Sequence, residues 1–225
     1  MTDSSTFSSS AYGGAGWSQR TESHAGDMGA IWQGGIDSEW RELQSVLLRR
    51  PGAEVAVEDA NAAQQVEVVD LGRAQAEHDQ LAEAYRVAGI DVVETPDVDE
   101  PNPNRMFCAD LFVMTPQGAI VGRPASTVRA GEEVAVAQAL ATARVPILKT
   151  LTGTATFEGA DLMWVDAETA LIGRGHRTNQ QAIDQITALC SEIGVELIAV
   201  DMPFGTMHLM GMLRIADSDL AIAWP

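Results

Sequence analysis

The chain has 225 residues, with 14 Lys and Arg against 32 Asp and Glu and a formal charge of −18. Its 46% hydrophobic and 20% charged content excludes a disordered chain and allows a sizeable core. The acid excess argues against a nucleic-acid or anionic-membrane surface and suits a cationic small molecule.

No apolar run reaches the roughly 18 residues that suggest a membrane span. The N-terminus has neither the basic nor the apolar region of a secretory signal, and the expected setting is cytoplasmic. Residues 1–30, rich in Ser, Gly and Ala, read as a flexible tail with Trp17 as a local docking point. The folded domain is expected over 31–225, its periodicity starting at Ile31-Trp32. A strand is predicted over Val46-Leu47-Leu48 and a helix over Arg73–Ala88, with Leu81, Ala84, Tyr85 and Ala88 spaced for one face. A strand over Ile90–Glu94 follows.

The strongest pattern is an internal repeat. Residues 109–123 align without a gap on 160–174, at an offset of 51 and with six of fifteen positions identical. Each copy reads as an apolar strand opened by Asp (Asp110, Asp161), a polar turn, a second strand and a Gly-Arg exit. A helix follows each: Gly131–Ala143, then Thr178–Ile193 with Thr178 as N-cap and Ile183, Ile186, Leu189, Cys190 and Ile193 on one stripe. A strand is predicted over Val195–Val200. Val46–Pro51 is a fainter early copy, and a last copy opens at Met212 and runs to Pro225. A period near 50 residues predicts stacked ββαβ modules, none able to bury its apolar face alone. The chain is expected to stop inside a module, as a fragment or as a truncated protein that covers its open edge by homodimerisation.

Four motifs occur in order: Pro103–Asp110, Phe157–Asp161, Gly175–Gln180 and Met207-His208-Leu209. Together they resemble the guanidino-group-modifying enzymes, the superfamily of dimethylarginine dimethylaminohydrolase, arginine deiminase and the amidinotransferases. The resemblance covers roughly residue 39 to the end and implies a pentein α/β propeller, of which about four of five modules are present. It implies hydrolysis at the guanidinium of arginine or a methylated or related derivative, through a covalent Cys-amidino intermediate. The alternatives are amidino transfer, or a non-catalytic pentein that binds a guanidino ligand or a protein partner. By resemblance, Asp110 holds the guanidinium, Glu158 binds it and orients the histidine, and His208 is the general acid/base. Arg129 and Arg177 match positions that clamp a substrate carboxylate. Asn104 matches a further substrate contact, and Asp161 is a candidate substrate ligand at the repeat position of Asp110.

The sequence departs from the family at several points. Ala109 precedes the binding Asp where deiminases carry Arg and dimethylarginine enzymes Glu. Met210 stands two residues after His208, where deiminases and transferases carry Asp. The family's nucleophilic cysteine lies near the C-terminus, in the fifth module, and nothing here occupies that position.

Each candidate also has a structural reading. The acids could satisfy loop N–H groups, His208 lies in an apolar run, and the arginines could pair with the acidic surface. Strand alternation would put Cys108 on the face of Asp110, making it a candidate substitute thiol against its reading as an inert core residue. Cys190 reads as helix core. The other histidines have no metal-ligand spacing, and the covalent thiol route calls for no metal or organic cofactor.

Overall fold

The computed structural model describes residues 6–23, 26, 35–96 and 102–224. Ile31 and Trp32 lie outside them. Trp17 follows two short 3-10 turns, Thr6–Ser8 and Ser10–Tyr12, and stands exposed rather than docked.

The repeat becomes architecture. Strands β3 (Phe112–Thr115) and β4 (Gly118–Val121) form an antiparallel hairpin, helix α2 (Glu132–Thr142) crosses over, and β5 (Ile147–Thr150) pairs parallel with β4. The next unit repeats this order: β6 (Leu162–Asp166) antiparallel to β7 (Thr169–Arg174), α3 (Gln180–Glu192), and β8 (Glu196–Asp201) parallel to β7. Both units are therefore ββαβ. Before them, β1 (Ser45–Leu48) and β2 (Asp91–Glu94) pair in parallel across α1 (Leu71–Val87). After them, β9 (Leu213–Asp217) and β10 (Leu220–Ala223) form a hairpin. The result is a mixed α/β fold of repeated modules, as the spacing predicts, and it is consistent with a propeller.

Each complete module buries its sheet under its own helix. Val136 and Leu140 of α2 pack with Leu111, Ala119 and Val121. The predicted stripe of α3 supplies Ile183, Ile186 and Cys190 to a larger core with Trp164, Phe157 and Ile172. Neighbouring modules are also joined by polar contacts. Trp164 donates its indole N–H to the Met114 carbonyl at 3.0 Å, and its backbone N–H to Glu39 at 2.9 Å. Arg123 pairs with Phe157 across the same junction.

Three details differ from the sequence expectation. The buried face of α1 is turned by one residue: Ala82 is buried and Leu81 exposed. On this face Gln75 donates to the Pro51 carbonyl at 2.9 Å, and Arg50 pairs with Asp79 at 2.7 Å on the exposed side. Helix α3 is capped by Asn179, whose side chain accepts from the Ala182 N–H at 3.0 Å; Thr178 turns inward instead. Finally, Asp110 and Asp161 do not open strands. Each ends a 3-10 turn, Cys108–Asp110 and Gly159–Asp161, that leads into the hairpin.

A third such turn, Leu209–Gly211, precedes β9. The residues capping the three turns are Phe107, Glu158 and His208, at matching positions of successive modules. The middle turn, Gly159–Asp161, packs against both of the others. Gly159 makes that packing possible. A Cβ there would lie 2.6 Å from the Ala109 carbonyl oxygen and closer still to that of Phe112.

Candidate functional site

The turns bring side chains from three modules to one place. Glu158 is fully buried, and its Oε2 lies 2.7 Å from His208 Nε2. Asp110 Oδ1 is 3.7 Å from the same nitrogen. One ligating atom from each of Asp110, Glu158 and His208 lies within 4.8 Å of the others. Such a focus of acceptors suits a cation, and Arg129 supplies one: its Nη1 is 2.5 Å from Asp110 Oδ2 and 3.7 Å from Glu158 Oε2. Arg177 Nη1 approaches Glu158 Oε1 at 3.3 Å, and the Ala125 N–H donates to that oxygen at 3.2 Å. The residues expected to meet at a guanidinium thus do converge.

Electrostatics couples the pair at the centre. Burial alone would raise the Glu158 carboxyl, but the His208 hydrogen bond, the Arg177 charge, the Ala125 N–H and Arg129 outweigh it and hold it below its ordinary value. Burial likewise works against the His208 imidazolium. The bond to Glu158 and the charges of Asp110 and Asp161 prevail, and His208 is raised. Nε2–H therefore donates to a carboxylate, and the imidazole is biased toward its charged form. This is a group able to give a proton to a leaving amine and take one from water. A cavity of about 380 Å³ lies against His208, lined by residues of the 205–212 loop.

Two expected contacts are placed differently. Asp161 is buried with both oxygens engaged: Oδ2 accepts from the Thr178 hydroxyl at 2.6 Å and Oδ1 from the Leu209 N–H at 3.0 Å. It braces the turn that carries His208. Asn104 is also buried, its amide donating to the Ala63 carbonyl at 2.8 Å and accepting from Gln65 at 3.4 Å. Its side chain ties the 102–107 segment to the loop after β1.

Cys108 does not serve as a strand neighbour of Asp110, because both lie in a 3-10 turn rather than on one strand face. Its Sγ is 3.8 Å from the Arg105 carbonyl, and burial pushes the thiol up to about 12. Cys190 is core, pushed up to about 11. Neither is poised as a thiolate.

Sequence reasoning missed Glu132. It is fully buried at the start of α2, and its Oε2 accepts from both Nε and Nη2 of Arg129 at 2.8 Å. Burial pushes its carboxyl up to about 7 against the pull of Arg129. The signal was present as an Arg and a Glu three residues apart at a helix start.

Residues 53–223 match the family described as N,N dimethylarginine dimethylhydrolase, eukaryotic. A dimethylarginine dimethylaminohydrolase of Streptomyces coelicolor is 28% identical over 157 residues, covering 70% of this chain and 59% of its own length. The chain thus spans about three fifths of that curated relative. The Pseudomonas aeruginosa dimethylarginine dimethylaminohydrolase, solved as a Cys-to-Ser mutant with citrulline, superposes with a TM-score of 0.68 at 21% identity, covering 80% of this chain and 69% of that one. An amidinotransferase from Microseira wollei gives 0.64 at 14% identity, covering 80% and 66%. The N-terminal domain of a cyanobacterial arginine dihydrolase gives 0.64 at 16%, covering 76% and 63%. At these identities the superpositions show a shared fold. Among the described residues, no helix is long and apolar enough to cross a membrane. With three quarters of its length matched, the chain belongs to the N,N dimethylarginine dimethylhydrolase family of the pentein superfamily.

Proposed function

We propose that the chain holds the guanidinium of arginine, or of a methylated or related arginine, and forms the binding part of a guanidine-modifying hydrolase. The observation that carries this reading is the convergence of Asp110, Glu158 and His208 within 4.8 Å. A planar delocalised cation is best met by carboxylate oxygens. Asp110 and Glu158 bind it, and His208 handles the protons. In the reaction, a cysteine thiolate attacks the guanidinium carbon and expels ammonia or an amine, and water then cleaves the amidino-thioether. Cys108 and Cys190 are buried with raised thiols, and neither is proposed as the nucleophile. The setting is cytoplasmic, and a second copy is the proposed partner at the exposed β10 edge.

Calorimetric titration with L-arginine and with mono- and dimethylarginine tests the binding step. Asp110→Asn should weaken the best ligand about tenfold or more, the range for a hydrogen bond to a charged group. Unchanged affinity removes Asp110 from the site. The 225 residues alone should release no ammonia, methylamine or dimethylamine.

The buried state of both cysteines also favours a second reading, a pentein that binds a guanidine without turning it over. Binding without amine release from an intact-length protein would decide for it.

A further inference from the structure

Glu132 makes no direct contact with Asp110, Glu158 or His208, yet it is buried as completely as Glu158. Its Oε2 takes one whole edge of the Arg129 guanidinium, both Nε and Nη2 at 2.8 Å. Nη2 is further engaged by the carbonyls of Asn104 and Phe107, each at 3.4 Å. Only Nη1 points toward the acids, at 2.5 Å from Asp110 and 3.7 Å from Glu158. The second oxygen of Glu132 is buried without a hydrogen-bond partner among the described residues. A buried ion pair with an orphan oxygen is a poor stabilising device, since apolar residues of similar volume commonly do as well. Its specific effect is to fix which edge of Arg129 faces the site.

We propose that Glu132 is a positioning residue, holding the Nε–Nη2 edge of Arg129 so that Nη1 alone meets the ligand. Nη1 sits on Asp110, in the place the ligand guanidinium would take. An entering guanidinium displaces Nη1 from that carboxylate. The orphan oxygen of Glu132 then completes a two-oxygen grip on Arg129, and Nη1 becomes available to a carboxylate on the ligand. The site therefore selects guanidines that carry an amino-acid carboxylate over those that lack one. This rests on the guanidine-binding reading above.

The full chain should be titrated with L-arginine and with agmatine, the same guanidine without the carboxylate. Glu132→Gln should weaken arginine about tenfold, the range for a charged hydrogen bond, and leave agmatine unchanged or tighter. An equal loss for both ligands, or no change in either, overturns the proposal. Asp110→Asn serves as the control. If it weakens neither ligand, the guanidine reading fails and takes the proposal with it; if it weakens both while Glu132→Gln is silent, the proposal alone fails. Should Glu132→Gln not fold, NMR of the wild type decides. The Arg129 Nε–H, identified by its loss in Arg129→Lys, should stay protected from exchange in both the free and the arginine-bound chain. Its loss on binding would overturn the proposal.

Discussion

Asp110 and Asp161 stand at matching positions of successive modules, each closing a 3-10 turn, and they do opposite work. Asp161 gives both oxygens to its surroundings, the Thr178 hydroxyl and the Leu209 N–H. Asp110 meets the end of an arginine side chain and leaves Oδ1 facing His208. Repetition fixes where the backbone places a carboxylate. The donors that the following segments offer then decide whether it becomes a strut or a ligand.

The contrast has measurable sides. The largest expected effect is Asp161→Ala, which strands a buried N–H and a buried hydroxyl and should cost about 3 kcal/mol in urea unfolding. Asp110→Ala should cost only about 1 kcal/mol, because Arg129 keeps Glu132 as partner. Equal costs, or the reverse order, would erase the distinction between strut and ligand. Thr178→Val ranks between these two, at about 2 kcal/mol, because its hydroxyl donates to Asp161 and accepts from the Glu158 N–H, with arginine affinity unchanged. A matching loss of affinity would place Thr178 in the ligand site.

The smallest effect is the pH dependence of the His208–Glu158 pair. A raised histidine contributes stability that is fully present below its ordinary value of 6.5 and is lost as pH rises through its folded value. A depressed carboxylate contributes stability present above its ordinary value of 4.5 and lost as pH falls through its folded value. The pair therefore stabilises most between those limits. The His208 ring, followed by NMR, should titrate above 6.5 and drop in Glu158→Gln. A midpoint that stays put would show that Glu158 does not set it.

Module order and strand pairing were legible because the repeat at 109–123 and 160–174 records burial, and burial constrains each position along a strand. The turns before those strands were not, since side chains facing a site are under no such constraint. Phe107, Glu158 and His208 cap equivalent turns yet share no chemistry, so their equivalence is visible only in the backbone. The motifs pointed to Asp110, Glu158, His208 and Arg177, and the family resemblance added Arg129; the structure brings these five side chains together. Asn104 and Asp161 lie in the same neighbourhood with their side chains bonded to protein groups, because a motif records that a polar group is needed and not which neighbour uses it. The face of α1 was misread by one residue: the helix buries Ala82, and its Gln75 bonds the Pro51 carbonyl, a polar contact that hydrophobic spacing cannot register.

Gly159 has no side chain and no reactive atom, yet it sits where the carbonyls of Ala109 and Phe112 leave no room for even a methyl group. Any other residue would wedge two modules apart and carry Glu158, its immediate neighbour, out of reach of His208. A damaging variant at this position would look like a failed binder rather than a failed spacer.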